Sequence, residues 1–110
     1  MTQMAQLAEM LTKNNIPFET TYMDKTIFSI NGESVPQIWY PNRAEAVCDV
    51  ICHKYSYGGD KGYLEIMGLV TDPEADSVEG WLTSTDVFLR ISAHYQSQLI
   101  KKLKKIIKTS

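Results

Sequence analysis

The order of apolar and polar residues divides the chain into a helical opening, an alternating middle and a helical end. Met4, Leu7, Ala8 and Leu11 recur at the spacing of one helical face, and Asn14-Asn15 ahead of Pro17 stops the pattern. This predicts an amphipathic helix over residues 2–14 with its methionine and leucine stripe turned to the core. After Pro17 the period falls to two, Phe18, Thr20 and Tyr22 alternating with Glu19, Thr21 and Met23. Residues 26–30 follow across a tight Asp24-Lys25 connection and are expected to complete a hairpin. Asn31-Gly32 is the strongest turn signal of the chain, because both residues tolerate the positive φ of a type I′ turn. Val35–Tyr40 is the next expected strand, with Pro36 confined to an edge or to the first residues, since it has no N–H for a ladder.

Pro41-Asn42 interrupts this run, and residues 46–53 resume it with Val47, Val50 and Ile51. They read as a strand, although residues 44–52 can also be drawn as a short helix. Residues 63–70 are its expected partner, with Gly68 marking a bulge or a close backbone approach. Residues 71–76 are acidic and hold Pro73, a surface connection, and Val78–Leu82 is a short apolar run. Thr83 with Asp86 three residues on has the form of a capping box. Val87, Ile91 and Tyr95 then mark a helical face that runs on through Leu99, Leu103, Ile106 and Ile107 with lysines opposite. The whole predicts an α+β fold, an antiparallel sheet of about four to six strands with an amino-terminal and a carboxy-terminal helix. Residues 1–98 form a single domain in this reading, and residues 99–110 are a basic amphipathic extension of the last helix. A sheet half covered by two helices leaves edges and apolar surface to manage, so a homo-oligomer is expected. The basic helix end has three readings: a solvated face, an oligomer contact or a membrane-surface contact.

Length and composition sharpen this picture. With 110 residues and 44% apolar content the chain has the size of one domain, and no apolar run reaches the roughly 18 to 20 residues of a membrane span. The formal charge of −2 conceals a division: five of the eleven basic residues lie between Lys101 and Lys108, which leaves six positive against thirteen negative charges before them, a balance of −7. Such an acidic body repels a phosphate backbone, so direct nucleic-acid binding is not expected. Two cysteines four residues apart, without a secretion-like opening, favour free thiols in a reducing, cytoplasmic setting.

Candidate chemistry concentrates in residues 39–62, which hold Arg43, both cysteines, His53, three tyrosines and a Ser-Tyr-Gly-Gly turn. Cys48, Cys52 and His53 invite a zinc reading, but on a strand the cysteines share one face and His53 points to the other. Buried structural thiols are expected, with no metal and no cofactor. A nucleophile fares no better: Cys52 and His53 are adjacent in sequence, and Ser56 lacks the Gly-x-Ser-x-Gly elbow of many hydrolases. Phosphate-binding signatures of nucleotide hydrolases and dinucleotide enzymes are missing as well. Ligand binding uses the same residues more economically. Gly58 and Gly59 admit close backbone approach to an anion, Ser56 adds a hydroxyl, Arg43 a planar fork, and Tyr40 or Tyr57 a face for stacking, with His53 nearby. The bland alternatives are a plain glycine turn, an Arg43–Glu45 pair, and aromatics that only pack.

The segments Tyr40-Pro41-Asn42-Arg43, Cys48-Asp49-Val50-Ile51-Cys52-His53, Ser56-Tyr57-Gly58-Gly59, Leu64-Glu65-Ile66-Met67-Gly68-Leu69 and Val78-Glu79-Gly80-Trp81-Leu82-Thr83 together resemble a family of small proteins encoded by phages and prophages of Gram-positive bacteria. The likeness spans roughly residues 37–95. It brings no activity with it, and implies a setting, the cytoplasm of the host cell, and action by binding. The leading expectation is therefore a non-enzymatic accessory protein that counters host defence by sequestering a small nucleotide-like signal. The alternatives are an inhibitor that binds a host defence protein through its acidic surface, in the manner of anti-CRISPR proteins, and a small hydrolase using His53.

Overall fold

Thr2 starts the first helix by accepting the N–H of Ala5 on its hydroxyl, 3.1 Å away, and helix α1 then spans Gln3–Lys13 in a computed structural model that describes residues 1–109. Asn15 takes the left-handed conformation (φ 56°) just past the helix end. Strands β1 (Glu19–Met23), β2 (Val35–Tyr40), β3 (Cys48–Ile51), β4 (Leu64–Met67) and β5 (Val78–Leu82) form one antiparallel sheet in the order of the chain. The long helix α3 spans Ser84–Thr109. The fold is α+β, a five-stranded meander with a helix at either end of the chain.

Alternation along the strands sorts the sheet into two faces. Ile38, Tyr40, Cys48, Val50, Leu64, Ile66 and Leu82 turn to one side and meet Met4, Leu7 and Leu11 of α1 and Val87 and Ile91 of α3 in a single core. Leu7, Leu11, Val50, Leu64, Ile66 and Ile91 are fully buried there, and each removes about 1.5–3 kcal/mol of apolar surface cost from water. The opposite face carries Gln37 bonded to Asp49 and Trp39 bonded to Thr21 across the strands. A one-turn helix, α2 (Lys25–Phe28), connects β1 toward β2, and its Phe28 ring rests 4.9 Å from that of His53.

Three local expectations change. Residues 26–30 are not a strand: Asp24 accepts the Thr26 N–H at 2.9 Å and its hydroxyl at 2.6 Å, which caps α2 and overrides the β-branched pattern. Of Asn31-Gly32 only Gly32 has positive φ (77°), so the pair bends a longer connection to β2 rather than forming a type I′ turn. The strand expected over residues 46–53 is confined to Cys48–Ile51, which settles the strand against the helix alternative and leaves His53 beyond the strand end. Pro36 lies in β2 outside the part paired with β3, which starts at Ile38. Gly68 (φ 90°) serves close approach: a Cβ there would meet the Val47 carbonyl at 2.4 Å. The bulge falls instead on β5, where one extra residue sits between the partners of Leu64 and Ile66 and Trp81 has φ 59°.

Candidate functional site

The loop after β3 is built by its own main chain. Ser56 Oγ accepts the His53 N–H at 2.8 Å and donates to the His53 carbonyl at 3.0 Å, so the hydroxyl is consumed in closing the turn. Gly59 fits beneath it only because it lacks a side chain, since a Cβ would stand 2.1 Å from the His53 carbonyl and 2.3 Å from Ser56 Oγ. Gly58 takes the left-handed conformation (φ 81°) that starts the short 3-10 turn Gly59–Lys61. Cys52 is half-buried and its thiol reaches the Gly59 carbonyl at 3.7 Å, while Cys48 lies fully in the core. Burial, with Asp49 adding to it, pushes the Cys48 thiol up to about 12, and burial alone raises Cys52. Neither thiol is poised as a thiolate.

His53 is buried against Phe28, and its Nδ1 accepts the Tyr55 N–H at 3.0 Å. Burial lowers its pKa, opposed by the charge of Glu65, and favours the neutral ring. Ser56 is bonded to the backbone of His53 and not to its ring, so serine and imidazole do not form a nucleophile and base pair. Among the described residues no group of three or more histidine, cysteine, aspartate and glutamate side chains could hold a metal ion.

Arg43 lies elsewhere. Its guanidinium stacks over Trp39 at 5.6 Å and its backbone N–H donates to Glu19 Oε1 at 3.1 Å. It belongs to the β2–β3 connection, whereas residues 53–59 belong to the β3–β4 connection at the other end of β3. Four residues of strand separate the two by on the order of 10 Å. Tyr40 is in the core, and its hydroxyl lies 2.8 Å from His94 Nδ1. Burial raises its pKa, with smaller contributions from Cys48 and Tyr95. Of the residues expected to form one anion site, the structure brings His53, Ser56, Gly58 and Gly59 together in the turn, with Tyr57 on its rim. Tyr40 and Arg43 stand apart from them and from each other's surroundings.

Two hollows were not legible from sequence. One, of about 530 Å³, lies between the end of β2 and α3 and is lined by Tyr40, Glu45, His94, Tyr95 and Lys102 among others. The second lies on the outer face of the sheet: about 440 Å³ between Tyr55, Tyr57, Glu65, Asp76 and Val78. The loop is clamped so as to present its tyrosines there. The Tyr57 N–H donates to Glu65 at 3.1 Å, its carbonyl accepts the Trp81 N–H at 3.2 Å, and Gly80 leaves room for its Cβ. Lys54 N–H donates to the Phe28 carbonyl at 2.9 Å and fixes the other flank. Tyr55 and Tyr57 nonetheless remain 65% and 63% exposed. The loop backbone is thus held by hydrogen bonds on both flanks while its two tyrosine side chains stay in solvent.

Fold and surface thus define a helix-backed antiparallel meander with a tyrosine-lined, acidic hollow on its uncovered face. No family model, no curated protein and no solved structure matches the chain.

Proposed function

We propose that this protein acts without catalysis, by binding a partner protein through the outer face of its sheet, and that the hollow between Tyr55 and Tyr57 receives a basic side chain of that partner. The observation that carries this reading is the pair of exposed tyrosines held by a clamped loop around Glu65 and Asp76. Aromatic faces attract a guanidinium or ammonium group, and the carboxylates neutralise it. The −7 balance of the first hundred residues attracts a basic partner at long range. In the phage setting that the sequence resemblance implies, the fitting partner is a host defence protein whose own nucleic-acid-binding surface is basic. Calorimetric titration with an arginine-rich peptide tests the site. Tyr57→Ala and Asp76→Asn are each expected to weaken binding about tenfold, roughly 1.4 kcal/mol. Binding that is indifferent to both substitutions contradicts the reading.

Sequestration of a small nucleotide-like signal is supported by a different place from residues 56–59. The hollow beside Tyr40 offers a lysine for an anion, Lys102, and the ring of Tyr95 for a base. A thermal-shift series with cyclic nucleotides and ADP-ribose derivatives tests it: a stabilisation abolished by Lys102→Ala favours this reading over the protein partner.

A further inference from the structure

Helix α3 carries two stripes. Ser84, Val87 and Ile91 are buried, with Tyr95 half-buried beside them, and form the stripe that meets α1 and the sheet. Leu89, Ser92, Gln96, Leu99, Leu103 and Ile106 form a second, stepping by three and four residues in turn, the a and d positions of a heptad seam. At 3.6 residues per turn the two stripes are offset by roughly 100° around the helix. Leu89, Leu99 and Leu103 are 60%, 42% and 58% exposed, so the second stripe is not part of the core.

We infer that this seam is the contact between two copies of the chain, laid antiparallel along α3. The pattern is complementary to itself. With a two-fold axis between Ser97 and Gln98, Leu89 meets Ile106 of the second copy, Gln96 meets Leu99 and Leu103 meets Ser92. Charge selects the direction. Lys101, Lys102, Lys104, Lys105 and Lys108 all lie at one end of α3, and a parallel pair would set two such ends side by side. An antiparallel pair sets each against the amino-terminal part of the other helix. Asp86 lies there, and Arg90 ties Glu79, with Asp72 bonded to it, to the same part of the helix. The acidic body that complements a second copy in this way repels an anionic lipid surface. Ser92 and Gln96 interrupt the apolar stripe in its amino-terminal half, bonded to each other at 3.2 Å, and each faces a leucine of the second copy, which costs the pair stability.

Sedimentation equilibrium of the full chain at about 100 µM tests the inference. A species of twice 12.5 kDa is expected. Leu89→Asp and Leu103→Asp should each raise the dimer dissociation constant at least about tenfold, and Gln96→Leu should lower it by a similar factor. Both leucines are exposed in the single chain, so circular dichroism should be unchanged; if either aspartate variant loses helix, Gln96→Leu alone decides. Raising salt from about 0.05 to about 0.5 M should weaken the pair, whereas a parallel pair would tighten. A single 12.5 kDa species, a dimer indifferent to these substitutions, or a monomer that instead binds phosphatidylserine vesicles through its tail overturns the inference.

Discussion

Gly59 and Gly62 illustrate two different demands on a glycine. Gly59 has an ordinary φ but no space, whereas Gly62 has a left-handed φ (83°) and nothing within 4 Å. Gly59→Ala must push a Cβ into the His53 carbonyl and open the Ser56 turn, at an expected cost of about 2–4 kcal/mol. Gly62→Ala should cost only about 1 kcal/mol, the backbone preference alone. Urea unfolding of the two variants checks the ordering. His53 sets a pH dependence of definite sign. Its folded pKa is lowered from 6.5 by burial, so the unfolded chain binds the proton more tightly. This contribution is complete above 6.5 and is lost as pH falls toward the folded pKa. Below that, Glu79, held down first by its hydrogen bond from Arg90, and Asp86, held down by Thr83, extend the loss as each is protonated. Urea midpoints between about pH 8 and about pH 5 should therefore decline on acidification, with a smaller decline in His53→Gln than in the parent chain.

At the scale of elements, the clearest sequence signals were local ones. Thr83 and Asp86 form the reciprocal capping box their spacing implies, Thr83 N–H to Asp86 at 2.9 Å and Asp86 N–H to Thr83 Oγ1 at 3.2 Å. Thr83→Ala is expected to cost about 1 kcal/mol, visible as a lower melting temperature. Helix α1 was legible for the same reason, as period and boundary lie within a few residues, whereas Val78–Leu82 read only as a short apolar run because the bulge at Trp81 breaks its alternation. Residues 26–30 were misread because Thr26, Ile27 and Phe28 favour a strand on composition, and one aspartate cap decided otherwise. The candidate site was less legible than the fold. Tyr40 reads as an available aromatic until a histidine 54 residues away is found at its hydroxyl. Tyr57 reads as one of several stacking faces beside Tyr40, and only Glu65 and Gly80, which clamp its backbone, show that it stays in solvent while Tyr40 does not. Residue content located the region, and only tertiary contacts separated its structural members from its exposed ones.

At the scale of the molecule, the fold divides labour between its two sides. One side of the sheet is spent on the core with α1 and α3, and α3 continues past it: 26 residues of helix span about 39 Å, in a molecule 55 Å along its longest axis. The other side keeps the aromatic side chains of Tyr55 and Tyr57 in solvent beside Glu65 and Asp76. Backbone amide mapping by NMR distinguishes the proposed use of this side from its rivals in one titration series. Addition of an arginine-rich peptide is expected to shift amides around residues 55–57, 65 and 76–78, to lose effect at high salt, and to leave residues 94–102 unmoved. Shifts confined to the surroundings of Tyr40, His94 and Lys102 on addition of a cyclic nucleotide, with none from the peptide, would contradict the account.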